Sequence, residues 1–560
     1  MKLKHIILSF TIGASLTSCN FLGVEPQVIC SDTFYNTQEE AISGLVGVYG
    51  VMSNEAFYGN YYSLMCSNVD DLCYFNRSTT SNYTNMYKHD ASATEIYAAW
   101  TEIYKGIRNA NAFMEAIPST EFDTDGKLYN EARFLRAYYH FILAQAWGDV
   151  PMRKEAVKSH DKVMCASSPQ FEVLTWAVEE MEECLELAGE DISNSPSRIN
   201  TYVVHGILSR AYLFMAGESV QGGDKSEYYR LAMEHADAVI KSGKFQLNPE
   251  YSQVFINMIS DQYDREYNES MWEVDFLGHR ASAETWSNGR IGDLMGLQSS
   301  GSSGYSSFLC NFAYGQYDGS LKLWDLYWAD DRTEDEYQLN DVTDKRQMWN
   351  MPPYNYAGCT SSSLGLNIPA STAKAPYIYD GKTTFDDPVT AQAIRNSGKW
   401  RREVEFEQVM DSKRLYTGVN YPILRYSDVL LMYAEASLEY TGTVSQEAYD
   451  CVKAIRDRAA VKTNEFSSYD VASFREFVRN ERGRELCFEG IRKYDLIRWG
   501  IFVEAMNGYV KAATDTRWSG SAKASYASAI GSAVQPKHVV LPVPAVELGV
   551  NNLLVQNPLW

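Results

Sequence analysis

Residues Glu131–Pro151 read EARFLRAYYHFILAQAWGDVP, and their apolar side chains run round nearly the whole circumference of a helix. A helix that is apolar on every side is a buried one. Phe134, Ala137, Tyr138 and Phe141 lie on one face and Leu135, Ile142 and Ala146 on its flank, so other helices must cover both sides. Gly148 and Pro151 supply the stop signals. A second stretch answers it near the other end, VRNERGRELCFEGIRKYDLIRWG at Val478–Gly500, where arginines and glutamates alternate among Leu486, Phe488, Ile491, Tyr494, Leu496 and Trp499. Its charges, Glu481, Arg484, Glu485, Glu489, Arg492, Asp495 and Arg498, fall at helical spacing among large apolar residues. A partly buried structural network is therefore expected in preference to an anion site.

Working outward, helical patterns cover Thr37–Met52, Thr94–Ile117, Lys127–Trp147, Gln170–Ala188, Asn200–Gly217 and Ser226–Ser242. ILSRAYLFM at Ile207–Met215 repeats FLRAYYHFI, with Arg136, Ala137 and Tyr138 matching Arg210, Ala211 and Tyr212. Leu430–Glu439, within a helix expected at Tyr426–Tyr440, is a looser third copy, followed by a helix over Gln446–Ala460. Small residues beside tyrosine on one helix and an alanine-rich second helix are the packing logic of tetratricopeptide-like pairs. The expected architecture is mainly α, with helical pairs over 32–245, an irregular aromatic-rich elaboration over 246–418, and a C-terminal scaffold with an extended tail over 419–560.

The chain of 560 residues is 45% hydrophobic, enough for a large core. Residues 1–18 have a basic start at Lys2, Lys4 and His5 and an apolar run, Ile6–Leu16, the pattern of a secretory signal. Leu16, Thr17, Ser18 and Cys19 resemble a bacterial lipobox, which predicts lipid attachment at Cys19 and a tether over 19–31. The formal charge of −22 becomes −24 when Lys2 and Lys4 leave with the signal. So acidic a surface repels phosphate backbones, which argues against nucleic acid as a partner. Ten cysteines with no CxxC spacing form neither a zinc pattern nor a complete disulfide framework, and Cys66 with Cys73 is the only close pair.

Tests for catalytic motifs fail one by one. HExxH, GxSxG and GxGxxG are absent, and Gly381–Lys382–Thr383 lacks the first glycine of a phosphate loop because position 376 is Pro376. Glu121–Ala132 misses a calcium loop at its last position, where Ala132 replaces the bidentate glutamate, and an acidic helix start is expected there. Asp70 with Asp71, and Asp330 with Asp331, could serve as a glycosidase acid and nucleophile, but solvated acids are the plainer reading.

Aromatic residues in loop-like, polar surroundings are the candidates for ligand contact, because a flat ring can bury the CH face of a sugar. They are Trp286, Tyr314, Tyr317, Trp349, Tyr354 and Tyr356, with a second group, Tyr74, Phe75 and Tyr83, in CYFNRSTTSNY. Tyr305 and Phe308 share the irregular setting. Trp100, Trp147, Trp272, Trp324 and Trp499 read as core.

The lipobox, WTEIYKGIRNANAFMEAI, the Glu131–Pro151 stretch, ESMWEVDF, YPILRYSDVLLMYAEASLE, NERGRELCFEGIRKYDLIRWG and the closing LPVPAVEL with QNP together resemble the SusD/RagB family of outer-membrane lipoproteins. The resemblance implies tetratricopeptide-like helices against an irregular ligand-binding part. It implies a receptor that holds glycan, or in one branch peptide, over a TonB-dependent transporter, with neither catalytic activity nor cofactor. The expected function is capture of an oligosaccharide at the cell surface. A peptide-binding member, a helical protein-interaction adaptor and a secreted glycosidase are the alternatives.

Overall fold

The computed structural model describes residues 35–77, 84–159, 163–278, 287–299, 311–328, 344–352, 395–405 and 415–560, except positions 187, 194, 288, 404, 517, 519 and 520, together with two short strands at 378–379 and 382–383. The signal, Cys19 and the tether lie outside the described residues, as do Asp330, Asp331, Pro376 and Gly381.

The helices α1 Gln38–Tyr49, α2 Thr94–Ala116, α3 Lys127–Trp147, α4 Gln170–Glu182, α5 Thr201–Ala216 and α6 Lys225–Ser242 pack in series, each on its predecessor. After α7 Tyr251–Ile259 and an irregular stretch, α8 Tyr426–Thr441 returns to lie on α6, and α9 Gln446–Arg458 packs on α8. The array of pairs is thus continued by a helix far away in sequence. Its ends carry ordinary caps: Asn200 and Asp224 accept backbone N–H groups at the starts of α5 and α6, and Gly243 and Gly442 close α6 and α8 with left-handed backbone. α3 is the centre of this array. From Glu131 to Trp147 every residue but Arg133 is buried, and each large apolar side chain taken from water contributes about 1.5–3 kcal/mol. The matched arginines of the repeat both find carboxylates on later helices, Arg136 at Glu180 and Arg210 at Asp428, 2.6 Å away.

Short helices at Ile291–Leu294, Leu321–Trp328 and Lys345–Asn350 interrupt the irregular stretch, and the C-terminal helices are α10 Val471–Leu486, α11 Arg492–Arg498, α12 Phe502–Ala512, α13 Ala522–Ala533 and α14 Ala545–Val550. The Val478–Gly500 stretch is two helices rather than one, broken where Phe488 and Gly490 take positive φ of 66° and 71°. Its charges form the expected buried network. Arg346, with no exposed surface, bonds Asp344 at 2.7 Å, Glu481 at 2.6 Å and Glu485 at 3.1 Å. Arg425 joins Glu269, Glu485 and Glu489 at 2.8–3.1 Å. Burial opposes ionisation of Glu481, but Arg346, Arg484 and Arg456 outweigh it and hold its carboxyl at about 2.

Strands are short ribbons. β1 Cys73–Phe75 pairs antiparallel with β5 Tyr317–Gly319, β2 Val150–Pro151 with β3 Ser167–Ser168, β4 Ser270–Val274 with β8 Tyr421–Arg425, and β6 Ile378–Tyr379 with β7 Lys382–Thr383. The β4·β8 ribbon brings together the start and end of the irregular stretch, and β1·β5 ties that stretch to the N-terminal array. The C-terminal tail, expected as extended, contains α14 and a 3₁₀ turn at Pro536–Val539. It packs along the body, with Leu541 N donating to Ala146 O at 2.7 Å and Ala545 N to Ala91 O at 2.7 Å. The five tryptophans read as core are all buried. Cys66 and Cys73 are both free and buried, and burial pushes the Cys66 thiol up to about 12.

Candidate functional site

Pairing of β1 with β5 joins the two groups of aromatic candidates, which are far apart in sequence. The register sets Phe75 opposite Tyr317 and Tyr74 opposite Asp318. Strand alternation then decides where the rings go. Tyr74 turns to Trp518 and Tyr509, with centroids 5.3 and 6.0 Å away, while Phe75 meets Tyr317 edge to face at 5.7 Å. All three rings are buried, so they support the ribbon and present no face outward, unlike the expectation from their polar neighbours. Trp349 is also buried, in the short helix Lys345–Asn350, with the Arg401 guanidinium 3.8 Å from its ring centroid. A cation already occupies the surface a ligand would use. Trp286, Tyr305, Phe308, Tyr354, Tyr356 and Tyr83 lie outside the described residues.

Tyr314 differs from its fellow candidates. Its side chain is 38% exposed, while its backbone is fixed on every side. The Tyr314 N–H donates to the Asp293 carboxylate at 3.2 Å, and the next N–H, of Gly315, donates to the Asp293 carbonyl at 3.1 Å. Arg77 donates to the Tyr314 carbonyl at 2.5 Å, and Asn76 to the Gly315 carbonyl at 2.9 Å. Gly315 has φ of +54°, and a Cβ there would sit 2.8 Å from the Gln298 nitrogen, so glycine is required for the turn. Asp293 itself is buried; burial pushes its carboxyl up, and the Arg290 guanidinium at 2.6 Å pulls it back. Beneath the turn, Asp318 accepts from Asn76 at 2.6 Å and from Asn396 at 2.7 Å.

Phe312, which the sequence reading passed over, meets Tyr314 edge to face at 4.8 Å and braces its ring. The apolar–apolar spacing in Asn311–Phe312–Ala313–Tyr314 was the available signal. Asn311 donates to Glu405 at 2.7 Å beside them. The result is a pre-set, partly exposed aromatic ring that can stack on a sugar ring, on a turn held from beneath by buried amides and carboxylates.

The Asp70–Asp71 pair is buried, not solvated as expected, and has another task. The Asp70 carboxylate accepts the N–H groups of Leu72 and Cys73 at 2.8 and 3.0 Å. Asp71 accepts from Arg492 at 2.9 Å and Lys322 at 2.6 Å. Burial and the neighbouring Asp71 push Asp70 up; burial acts on Asp71 too, but Arg492 and Lys322 hold it low. In the acidic loop before α3, the Asp123 carboxylate takes the N–H groups of Leu128 and Tyr129 at 2.9 and 2.8 Å, the role of a helix start. No group of three or more potential metal ligands occurs among the described residues.

Residues 268–560 match the model of the SusD family, and residues 20–213 match a model described as starch-binding, associating with outer membrane. SusD-like protein P25 of Formosa agariphila is 25% identical, covering 100% of this chain and 98% of that protein. A SusD homologue from Bacteroides thetaiotaomicron has the same fold, with a TM-score of 0.80 at 24% identity over 95% of this chain and 98% of its own. A laminarin-binding SusD-like protein superposes with a TM-score of 0.65 at 19% identity, over 94% of this chain and 100% of its own.

Proposed function

The chain belongs to the SusD family, and from that premise we propose that it is a glycan receptor of the outer membrane. It captures an oligosaccharide at the cell surface and delivers it, unaltered, to a TonB-dependent transporter. The observation that carries this reading is Tyr314, an exposed ring on a Tyr314–Gly315 turn whose backbone is held by four hydrogen bonds, and braced by Phe312. A ring already fixed in place loses little conformational entropy when it stacks on a sugar. Trp286, Tyr83, Tyr354 and Tyr356 are proposed to complete the contact surface. The laminarin-binding relative supports a carbohydrate as the ligand class.

Cys19 is the proposed anchor, where acyl chains would hold the protein at the membrane; the lipobox and the family description that names the outer membrane support it. Anchored beside its transporter, the receptor needs only modest affinity, because tethering raises the effective ligand concentration at the pore.

The test is affinity electrophoresis of the protein from Asn20 onward through gels holding plant, host and microbial polysaccharides, a β-1,3-glucan among them, with analysis of products. Retardation by one polysaccharide with no released sugar is expected. Release of shortened sugars would overturn the reading.

A further inference from the structure

A second concave surface lies between the helical array and the C-terminal tail and shares no lining residue with the Tyr314 turn. It is a groove of about 790 Å³, bounded by the end of α3, the end of α5, α12 and the closing residues of the chain. That volume is within the ordinary range of ligand sites. Five aliphatic residues, Ile497, Val503, Val539, Val540 and Leu559, stand in its lining beside eight polar ones. The two rings that line it, Phe214 and Phe502, are 1% and 2% exposed and offer no flat face for a sugar.

Its floor holds a polar group without a task. Gln145, 6% exposed, projects from α3 between this groove and the small polar cavity behind it, and its side-chain amide makes no hydrogen bond among the described residues. The residue is mostly covered, but its amide is open to solvent, so its donor and acceptor are available to whatever enters, and the pair it offers matches the C=O and N–H of a peptide unit. Asn507, on the exposed side of α12, adds a second amide at the rim.

Charge selects the occupant further. Asp149, Glu218 and Glu504 line the groove, and among the described residues no lysine or arginine does. Glu218 is paired with Lys225 from outside the groove, at 3.1 Å, which leaves Asp149 and Glu504 as the uncompensated pair at the rim.

We infer that this groove receives an extended peptide segment of a partner protein, one carrying lysine or arginine between aliphatic residues. The aliphatic lining residues take alternate side chains, Gln145 pairs with the segment's backbone, and Asp149 and Glu504 take its cationic heads. The inference does not depend on the glycan reading.

The test is selection from a library of capped hexapeptides by the protein from Asn20 onward, followed by titration of the selected sequences. Enrichment of Lys or Arg beside Val, Ile or Leu is expected. Gln145→Leu should weaken the selected peptides about tenfold, and Asp149→Asn with Glu504→Gln should weaken them several-fold and reduce the salt dependence. Asn507→Trp, which fills the groove from an exposed position, should abolish binding. Thermal melting and polysaccharide retardation, unchanged in these variants, show that each is folded. No enrichment, enrichment of acidic or neutral peptides, or peptide binding that survives Asn507→Trp would each overturn the inference. So would an oligosaccharide that binds in a manner lost in Asn507→Trp, since the groove would then be a sugar site.

Discussion

Gly315 and Tyr314 illustrate how one residue fixes the work of the next. Gly315→Ala would force a side chain into left-handed backbone against Gln298, a strain of about 1–2 kcal/mol. The ring of Tyr314 would remain but lose its aim, so glycan affinity should fall several-fold, as read by titration, with only a modest drop in melting temperature. The sequence marked Tyr314 and Tyr317 equally, because both stand among Gly, Gln and Asp. Only the pairing of Tyr317 with Phe75 separates them, burying one and leaving the other outside. Polar neighbours reveal that a ring lies in a loop but not whether a distant strand will cover it. His140 is a different kind of residue-level feature. Its Nδ1 bonds the Arg136 carbonyl at 2.8 Å and its Nε2 accepts the Arg153 N–H at 3.1 Å, which requires the neutral tautomer. Burial lowers its pKa to about 4. The unfolded chain therefore binds this proton first, and stability should fall as pH drops from about 6.5 towards 4. His205, lowered to about 4, and His89 and His538, lowered to about 3, share this window, so His140→Gln should reduce, without abolishing, that part of the slope in a denaturation curve measured against pH.

Among the elements, α3 was the most legible, since an all-apolar circumference with glycine and proline beyond it has few other readings. Its bounds, Lys127–Trp147, are those the sequence predicts. Gly148 ends it at φ of +79°, and a Cβ there would lie 3.2 Å from the Asn557 amide of the tail. Gly148→Ala should cost about 1–2 kcal/mol in denaturant unfolding, from backbone strain and from displacement of the tail. α12 and α13 escaped the sequence reading for a physical reason. In Ala522–Ala533, AKASYASAIGSA, the buried side is Ala524, Ala527, Ile530 and Gly531, small residues that leave no apolar stripe against a background of alanine and serine. Close packing on α12, where a Cβ at Gly531 would come within 2.8 Å of the Met506 carbonyl, replaces the missing hydrophobic bulk. The charges of Val478–Gly500 were read as a partly buried structural network, and Glu481, Arg484, Glu485, Glu489, Arg492, Asp495 and Arg498 are all buried, on two helices and the break between them. The Glu481–Glu485 cluster is buried and matched by arginines, so removing one member strands its partners: Glu485→Ala would leave Arg346, Arg425 and Arg458 short of a carboxylate. A loss of about 3–5 kcal/mol is expected in equilibrium unfolding.

Over the whole molecule, the helical frame and the irregular stretch divide the labour. The frame holds a continuous core and a cooperative ion network, while β1·β5 and β4·β8 clip the irregular stretch onto it. The network also sets the acid limit of the fold. Burial disfavours the charge on Glu435 and Glu481, yet their arginine partners hold both at about 2. Their contribution is complete above about 4.5 and should be lost as pH falls towards 2, below the window to which His140 contributes. The helical frame could be read from the sequence because periodicity is local; the site could not, because it depends on which loop ring a remote strand leaves uncovered. The most direct measurement of the central claim is calorimetric titration of the polysaccharide found by retardation into the wild-type protein and Tyr314→Ala. A loss of about tenfold or more in affinity, with an unchanged melting temperature, is predicted. Equal affinity in the two proteins would contradict the claim that this ring is the core of a glycan site.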